Sequence, residues 1–132
     1  MSSNEFASLK HIQLIAGDLG TPGAPVLQLA LTYNTESGTL NGEAVISQAI
    51  APPYGRLVVR HAAGQVHVLG FGPAKQTFTV AGLFNVPLPP PQIGHTIEKF
   101  SASFITDLDW RGHGSFSYGS HQVVNVPVEP KK

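Results

Sequence analysis

The feature that most constrains the fold is a β-hairpin predicted within residues 25–53. Apolar residues alternate with smaller or polar ones over residues 26–33, and the same rhythm returns over residues 40–50. A period of two places these side chains on one face of a strand and does not fit a helix. The polar segment 35–38 lies between the two runs and ends in glycine, which readily takes positive φ. Two consecutive prolines then end the second strand, because neither has an N–H to donate.

The face pattern restricts the loop that joins these two strands. A three-residue loop would set Leu31 opposite the carboxylate of Glu43, and a one-residue slip of this kind moves every side chain to the other face. A two-residue loop sets Leu29 opposite Ile46, and a four-residue loop sets Leu29 opposite Ala44. Both loops bury the apolar faces consistently. We favour the four-residue loop because Ser-Gly is a weaker signal for a tight turn than Asn-Gly.

Composition and spacing extend the all-β prediction to the whole chain. Fourteen Gly and eleven Pro are scattered among the apolar runs, and 132 residues suffice for one domain with its own core. Further strands are predicted over residues 9–16, 56–61, 66–71, 76–84, 96–108, 115–118 and 122–128. Short strands separated by turns are typical of a sandwich or a barrel. We predict a single antiparallel β-sandwich domain of eight or nine strands over residues 1–132.

Two connections and one strand carry specific expectations. Residues 62–65 are predicted to turn a second hairpin, and the proline-rich residues 86–94 to cross from one sheet to the other as a polyproline-type segment. The alternative for residues 86–91 is a ligand for an aromatic-lined groove on a protein partner. In the strand over residues 96–108, Leu108 is predicted to point inward with the phenylalanines that precede it.

The low charge is the most informative number in the composition. Only 12% of the residues are charged, eight of each sign, against about 25% in an average soluble protein. Copies of such a chain repel each other weakly, and nucleic acid, which calls for a basic stripe, is not an expected partner. The sequence shows neither a signal peptide nor an apolar run long enough to span a membrane. A cytoplasmic location is the default expectation, with signal-independent export left open.

Motifs for catalysis and metal binding are sparse. There is no cysteine, no Gly-x-Ser-x-Gly and no His-Glu-x-x-His, so we predict no enzyme, no cofactor and no metal. Residues 70–75 faintly suggest a phosphate loop, but Pro73 removes an amide donor and no helix is predicted to follow. A metal site needs three or four converging ligands. We therefore interpret the six histidines as strand-surface residues: His11, His61, His67, His95, His113 and His121.

One segment resembles a binding site. It contains Asp107, Asp109, Trp110, Arg111 and His113. Two carboxylates spaced by two residues project to one side of a strand end, and an exposed indole can stack on the apolar face of a sugar ring while the carboxylates bind its hydroxyls. This pattern predicts a carbohydrate-binding β-sandwich as an alternative function. The competing interpretation is that the indole closes one end of the core and the carboxylates are solvated and paired with the guanidinium.

Small neutral side chains alternate with apolar ones on three predicted strands. They are Thr77, Thr79, Ser101, Ser103, Ser115 and Ser117. Edge strands are normally protected by Lys, bulges or Pro, and here the prolines stand at strand ends only. We therefore predict a non-enzymatic structural or interaction module that self-associates through its faces or edges into a homo-oligomer or filament. The alternative is a monomer whose few charges lie at the edges.

Short segments of the chain are similar to a known family. They are Gly-Ala-Pro-Val-Leu at residues 23–27, Gly-Glu-Ala at 42–44, Gln-Ala-Ile-Ala-Pro-Pro at 48–53 and Val-Asn-Val-Pro-Val at 124–128. In these segments the chain resembles the small bacterial family catalogued as domain of unknown function 1842. The resemblance spans most of the chain apart from residues 61–84. It implies a compact bacterial all-β protein and supplies no catalytic residues.

Overall fold

The computed structural model describes residues 9–49, 55–69, 76–88 and 91–131, and within them the chain forms eight strands. The glycine-rich segment 70–75 lies outside the described residues. The strands are β1 (Leu9–Gly17), β2 (Val26–Asn34), β3 (Thr39–Ser47), β4 (Arg56–Val68), β5 (Gln76–Pro87), β6 (His95–Thr106), β7 (Gly112–Tyr118) and β8 (His121–Pro130). All neighbouring pairs are antiparallel, so the all-β, antiparallel, single-domain prediction is confirmed.

The strands close into one barrel, and the predicted sandwich is therefore wrong. Each strand pairs with its neighbours in sequence, and β8 returns to pair with β1. The pairing that closes the barrel covers three residue pairs, one of which joins Ile15 of β1 and Glu129 of β8. A sandwich and a barrel share the same alternation of apolar and polar residues and differ only in this long-range pairing. Closure removes the two outer edge strands of an open sheet, on which edge-to-edge association depends.

The central hairpin has the register expected for a four-residue loop. β2 and β3 align Leu27 with Ile46 and Leu29 with Ala44. The side-chain oxygen of Asn34 accepts hydrogen bonds from the backbone amides of Glu36 and Ser37, which stabilises the turn. The loop of residues 35–38 is confirmed, because only a loop of this length gives this register.

The predicted second hairpin is wrong, because β4 is one continuous strand from Arg56 to Val68. Residues 62–65 continue it: Ala62 faces the core and Gly64 lies so close to β5 that a Cβ would overlap the carbonyl oxygen of Thr79. Gly64 does not have positive φ, so no turn is formed at this position. The small residues permit β4 and β5 to pack closely. In the sequence, such a run looks the same whether it lies within a strand or forms a turn.

β4 contains a bulge in its pairing with β3. Val59 aligns with Ala44 and Ala62 aligns with Gly42, so Arg60 and His61 together oppose a single residue of β3. A bulge bends its strand and increases the local twist. It also explains why two consecutive side chains, Arg60 and His61, are both exposed.

The interior of the barrel is filled by side chains. Phenylalanines of β5, β6 and β7 fill one wall, and leucines of β1, β2 and β3 fill the other. The fully buried residues on these strands include Phe78, Phe100, Phe104, Phe116, Leu14, Leu27, Leu29, Leu31 and Leu40. Leu108 was predicted to join this core, but it is 61% exposed because β6 ends at Thr106 and the chain turns there.

The proline-rich connection lies in a hairpin between β5 and β6, which corrects the predicted crossover between sheets. β5 extends to Pro87, which aligns with His95 of β6, and the amide of Leu88 donates to the carbonyl of Gly94. Residues 89 and 90 lie outside the described residues. In the described part of the chain we find no helix with the length and apolar character needed to cross a membrane.

Candidate functional site

The turn between β6 and β7 carries the acidic part of the predicted sugar site. The side-chain oxygen Oδ1 of Asp107 accepts hydrogen bonds from the backbone amides of Asp109, at 2.9 Å, and Arg111, at 3.1 Å. The amide of Trp110 also donates to the carbonyl of Asp107. An aspartate that bonds to the backbone of its own turn has a structural role. Its Oδ1 is already occupied by two donors.

Trp110 closes one end of the barrel. Its ring meets Tyr33 edge-on, with centroids 5.5 Å apart, and meets Phe78 at 5.3 Å. The residue holds a φ of 67°, a left-handed conformation that a large side chain adopts only when its surroundings compensate for the strain. The indole is half-buried against the core, and this packing provides the compensation.

Four members of the predicted carbohydrate cluster share the turn between β6 and β7, and Trp110 is the one that borders the depression beside it. Arg111 forms an ion pair with Glu129 of β8, at 3.3 Å, instead of pairing with the aspartates of its own turn. His113 lies on β7, where it aligns with Ile105 of β6. The shallow depression beside Trp110 is lined by basic residues of β1 and by Lys131, and neither Asp109 nor His113 borders it. Carbohydrate binding stays a prediction.

The six predicted self-association residues all lie on three adjacent strands, on the outer face of the barrel. Thr79 aligns with Ser103 across β5 and β6, and Ser103 aligns with Ser115 across β6 and β7. In the next row Ser101 aligns with Ser117, and their hydroxyl oxygens are 2.9 Å apart. Thr77 stands one row further along β5. The sequence predicted that these side chains face outward, and the pairing of β5 with β6 and of β6 with β7 makes them neighbours.

Together with neighbouring small residues, these side chains form a surface that we name the neutral face. Its members are Ala63, Thr77, Thr79, Ala81, Ser101, Ser103, Ser115, Ser117 and Gln122. All but Thr77 line a shallow groove of about 300 Å³ on the outside of the barrel. None of the nine carries a formal charge. Short side chains at the centre and longer ones at the border, such as Lys99, make the surface concave.

The pKa of Tyr118, a buried residue on β7, is shifted from its ordinary value. Tyr118 is buried, and burial raises the pKa of its phenol above the ordinary value because the charged form loses solvation. The ring stacks on His121 with centroids 5.1 Å apart. The contact with His121 is between ring faces, and among the described residues no side chain forms a hydrogen bond with the phenol oxygen. The shift therefore reports burial and does not indicate a catalytic group.

The structure also places three basic residues in a cleft that sequence reasoning did not find. Arg56, Arg60 and His61 line an opening in the barrel wall between β4 and β5. The prediction of a hairpin turn just after His61 concealed it. A signal was nevertheless present: the inward residues Val59 and Ala62 are three apart, which breaks the period of two at the bulge.

Comparison with known proteins gives a family and no activity. The model of the family described as "Domain of unknown function (DUF1842)" matches residues 9–123. No curated protein matches the chain.

Proposed function

Because the chain belongs to the DUF1842 family, whose description assigns no activity, we propose its function from its surface: it is a non-enzymatic module that self-associates through the neutral face. A second copy of the same chain is the proposed occupant of that face. The assembly is a homo-oligomer, or a filament if the contact does not close.

The observation that carries this proposal is the absence of formal charge on nine adjacent outward side chains over five strands. Burying small hydroxyl and methyl groups costs far less than burying a Lys or a Glu, which must be paired or desolvated. The protein as a whole has eight positive and eight negative residues, so two copies approach each other without net repulsion. Both conditions favour contact between identical surfaces.

The size of the face decides how strong the contact is. Five strands spaced about 4.8 Å apart and three rows of outward residues cover roughly 400 Å². A standard interface buries about 800 Å² on each partner, so the neutral face alone supports only weak association. The exposed side chain of Ile105, which aligns with Thr77, continues the surface along β6. We therefore expect association that depends on concentration in the micromolar range or above.

Carbohydrate binding is the weaker of the two candidate functions. Oδ1 of Asp107 already accepts two backbone hydrogen bonds, and the indole of Trp110 packs on Tyr33 and Phe78. A sugar would have to compete with both sets of contacts. No single observation favours this candidate over self-association.

Sedimentation velocity over a wide range of protein concentration tests the proposal. We expect the weight-average mass to rise with concentration in the wild-type protein. The substitution Ser103→Arg places an unpaired charge at the centre of the neutral face, and burying such a charge is costly. We expect it to weaken self-association by about 100-fold or more.

The matched control is Ala30→Arg, which adds the same charge on β2, on the other side of the barrel. Ala30 is exposed and aligns with Glu43, which accommodates a guanidinium. This variant should associate like the wild type. Equal association of the two variants, with both shown to be folded by circular dichroism, would contradict the assignment of the interface to the neutral face.

A further inference from the structure

The barrel wall opens between β4 and β5. The two strands are paired from Val68–Gln76 as far as Ala63–Ala81, and no further pair follows. Both strands continue toward the same end of the barrel, as residues 56–61 of β4 and residues 82–87 of β5. Residues 56–59 pair with β3 and residues 82–87 pair with β6, so the sheet forks at this point.

The bulge in β4 and a glycine in β5 account for the fork. Arg60 and His61 form the bulge, which bends β4 immediately before the last paired residues. Gly82 stands at the branch point, where a Cβ would lie 2.5 Å from Cγ1 of Val59 and 2.8 Å from the carbonyl oxygen of His61. The close approach at Gly82 and the bend at the bulge are adjacent, and beyond them the strands separate.

A fork leaves backbone groups without partners in the sheet. Along any strand, successive residues direct their N–H and C=O groups to alternate sides. About half of the residues in each arm therefore direct these groups into the cleft and away from β3 or β6. Such an edge is a template for an added strand.

The walls of the cleft differ in chemistry. Its volume is about 450 Å³, within the range of about 300 to 1,000 Å³ typical of ligand sites. The buried residues Leu57 and Phe84 form its floor, and Leu83 lines the β5 side. Arg56 and Arg60 line the β4 side and are exposed.

The two guanidiniums carry charge that no described residue neutralises. Among the residues that the structure describes, the ion pair with an N–O distance within 4.0 Å joins Arg111 and Glu129, and neither of them lines the cleft. Glu43 of β3 lies opposite the bulge in β4, and it forms no such ion pair with Arg60. The cleft thus combines free strand edges, an apolar floor and a net positive wall.

We propose that this cleft binds an extended acidic peptide segment, which adds as a strand at the fork between β4 and β5. Arg56 and Arg60 are four residues apart, which corresponds to about 13 Å along a strand. The complementary segment has two carboxylates four residues apart on its outward face. The residues next to each carboxylate point inward and are apolar, because they meet Leu57 and Phe84. The inference is independent of the neutral face, which begins at Ala63 and Ala81 and has no residue in common with the lining of the cleft.

The test uses a fluorescein-labelled peptide of sequence Glu-Val-Ser-Val-Glu with blocked ends, titrated with the full-length protein and followed by fluorescence anisotropy. We expect saturable binding that weakens as salt is raised. The double variant Arg56→Gln/Arg60→Gln should weaken binding about 5- to 25-fold, since each exposed ion pair contributes modestly. The control variant Arg111→Gln removes a guanidinium outside the cleft and should bind like the wild type.

Two further peptides separate strand addition from simple charge attraction. Lys-Val-Ser-Val-Lys should not bind, and Glu-Val-Pro-Val-Glu should bind much more weakly because proline removes an amide donor and restricts the strand. Hydrogen exchange should slow at backbone amides of residues 56–61 or 82–87 when the first peptide is bound. Equal binding of the serine and proline peptides, or binding unaffected by the double variant, would overturn the proposal. The double variant should keep wild-type self-association, and Ser103→Arg should keep peptide binding, so failure of one proposal does not imply failure of the other.

Discussion

Closure of the barrel through β1 and β8 can be tested by an engineered disulfide. Ile15 and Glu129 are aligned Cα partners on the two strands, and the chain has no cysteine of its own to interfere. Directly opposed residues of antiparallel strands have Cα atoms about 4.5 to 5.5 Å apart, within the range that a disulfide spans. The double variant Ile15→Cys/Glu129→Cys should therefore form an intramolecular disulfide in the folded protein.

The structure also sets the expected gain in stability. The bond would close a loop of roughly 115 residues, and the loss of chain entropy in the unfolded state then amounts to about 5 kcal/mol. The substitution also removes the ion pair of Glu129 with Arg111, but this loss is the same in the oxidised and the reduced variant and cancels when the two are compared. Urea denaturation of the oxidised variant should thus show about 3 to 5 kcal/mol more stability than the reduced variant, allowing for strain in the bond.

A matched pair of cysteines defines the result that would refute the barrel. Ile15→Cys/Thr79→Cys places the second thiol on β5, across the barrel from β1, and should remain reduced within the monomer under the same oxidation. Failure of the Ile15–Glu129 pair to form a disulfide, or equal crosslinking of both pairs, would mean that β1 and β8 are not neighbours.

Three further predictions concern packing and titration. Phe78→Ala should lower the free energy of unfolding by about 3 to 5 kcal/mol, because the ring is fully buried, stacks on Phe104 and meets Trp110 edge-on. Ile93→Ala, at 98% exposure, should change it by less than about 0.5 kcal/mol, and urea denaturation measures both. Gly64→Ala should cost about 1 to 3 kcal/mol or prevent folding, since its Cβ would overlap a backbone carbonyl of β5, whereas Gly20→Ala meets only a side-chain oxygen at 3.8 Å and should be tolerated; thermal denaturation compares them. The raised pKa of Tyr118 means that burial of its neutral phenol is favourable below the unfolded-state pKa near 10 and that this stability is lost as the pH rises through the folded-state value. Tyr118→Phe should therefore lose less stability than the wild type between neutral pH and pH above 10, and equal losses in pH-dependent urea denaturation would contradict this account.

Local pattern predicted much of the fold because the interactions behind it are local. The length of the loop between β2 and β3 sets the residue that lies opposite Leu29. A four-residue loop requires Ala44 at that position, and the structure has Ala44 there. The alternation of Ser and Thr with buried residues likewise predicted which side chains share the outer face. These features depend on the period of two and on pairing between consecutive strands, both of which are visible in one sequence.

The errors come from contacts that a local pattern does not contain. The pairing of Ile15 with Glu129 closes the sheet into a barrel, and no motif near either residue in the sequence predicts this pairing. The bulge at Arg60 looks like the approach to a turn, because it breaks alternation just before a run of small residues. From the sequence, Trp110 could either stack on a sugar ring or close one end of the core. Its packing on Tyr33 and Phe78 distinguishes the two roles, and this packing is not visible in the sequence.

Self-association through the neutral face is measured most directly by the mass of the purified protein in solution as a function of concentration, compared between wild type and Ser103→Arg. We expect the wild type to exceed the monomer mass of 14.0 kDa as concentration rises and the variant to remain close to it. A wild-type protein that stays at the monomer mass up to its solubility limit would contradict self-association through the neutral face.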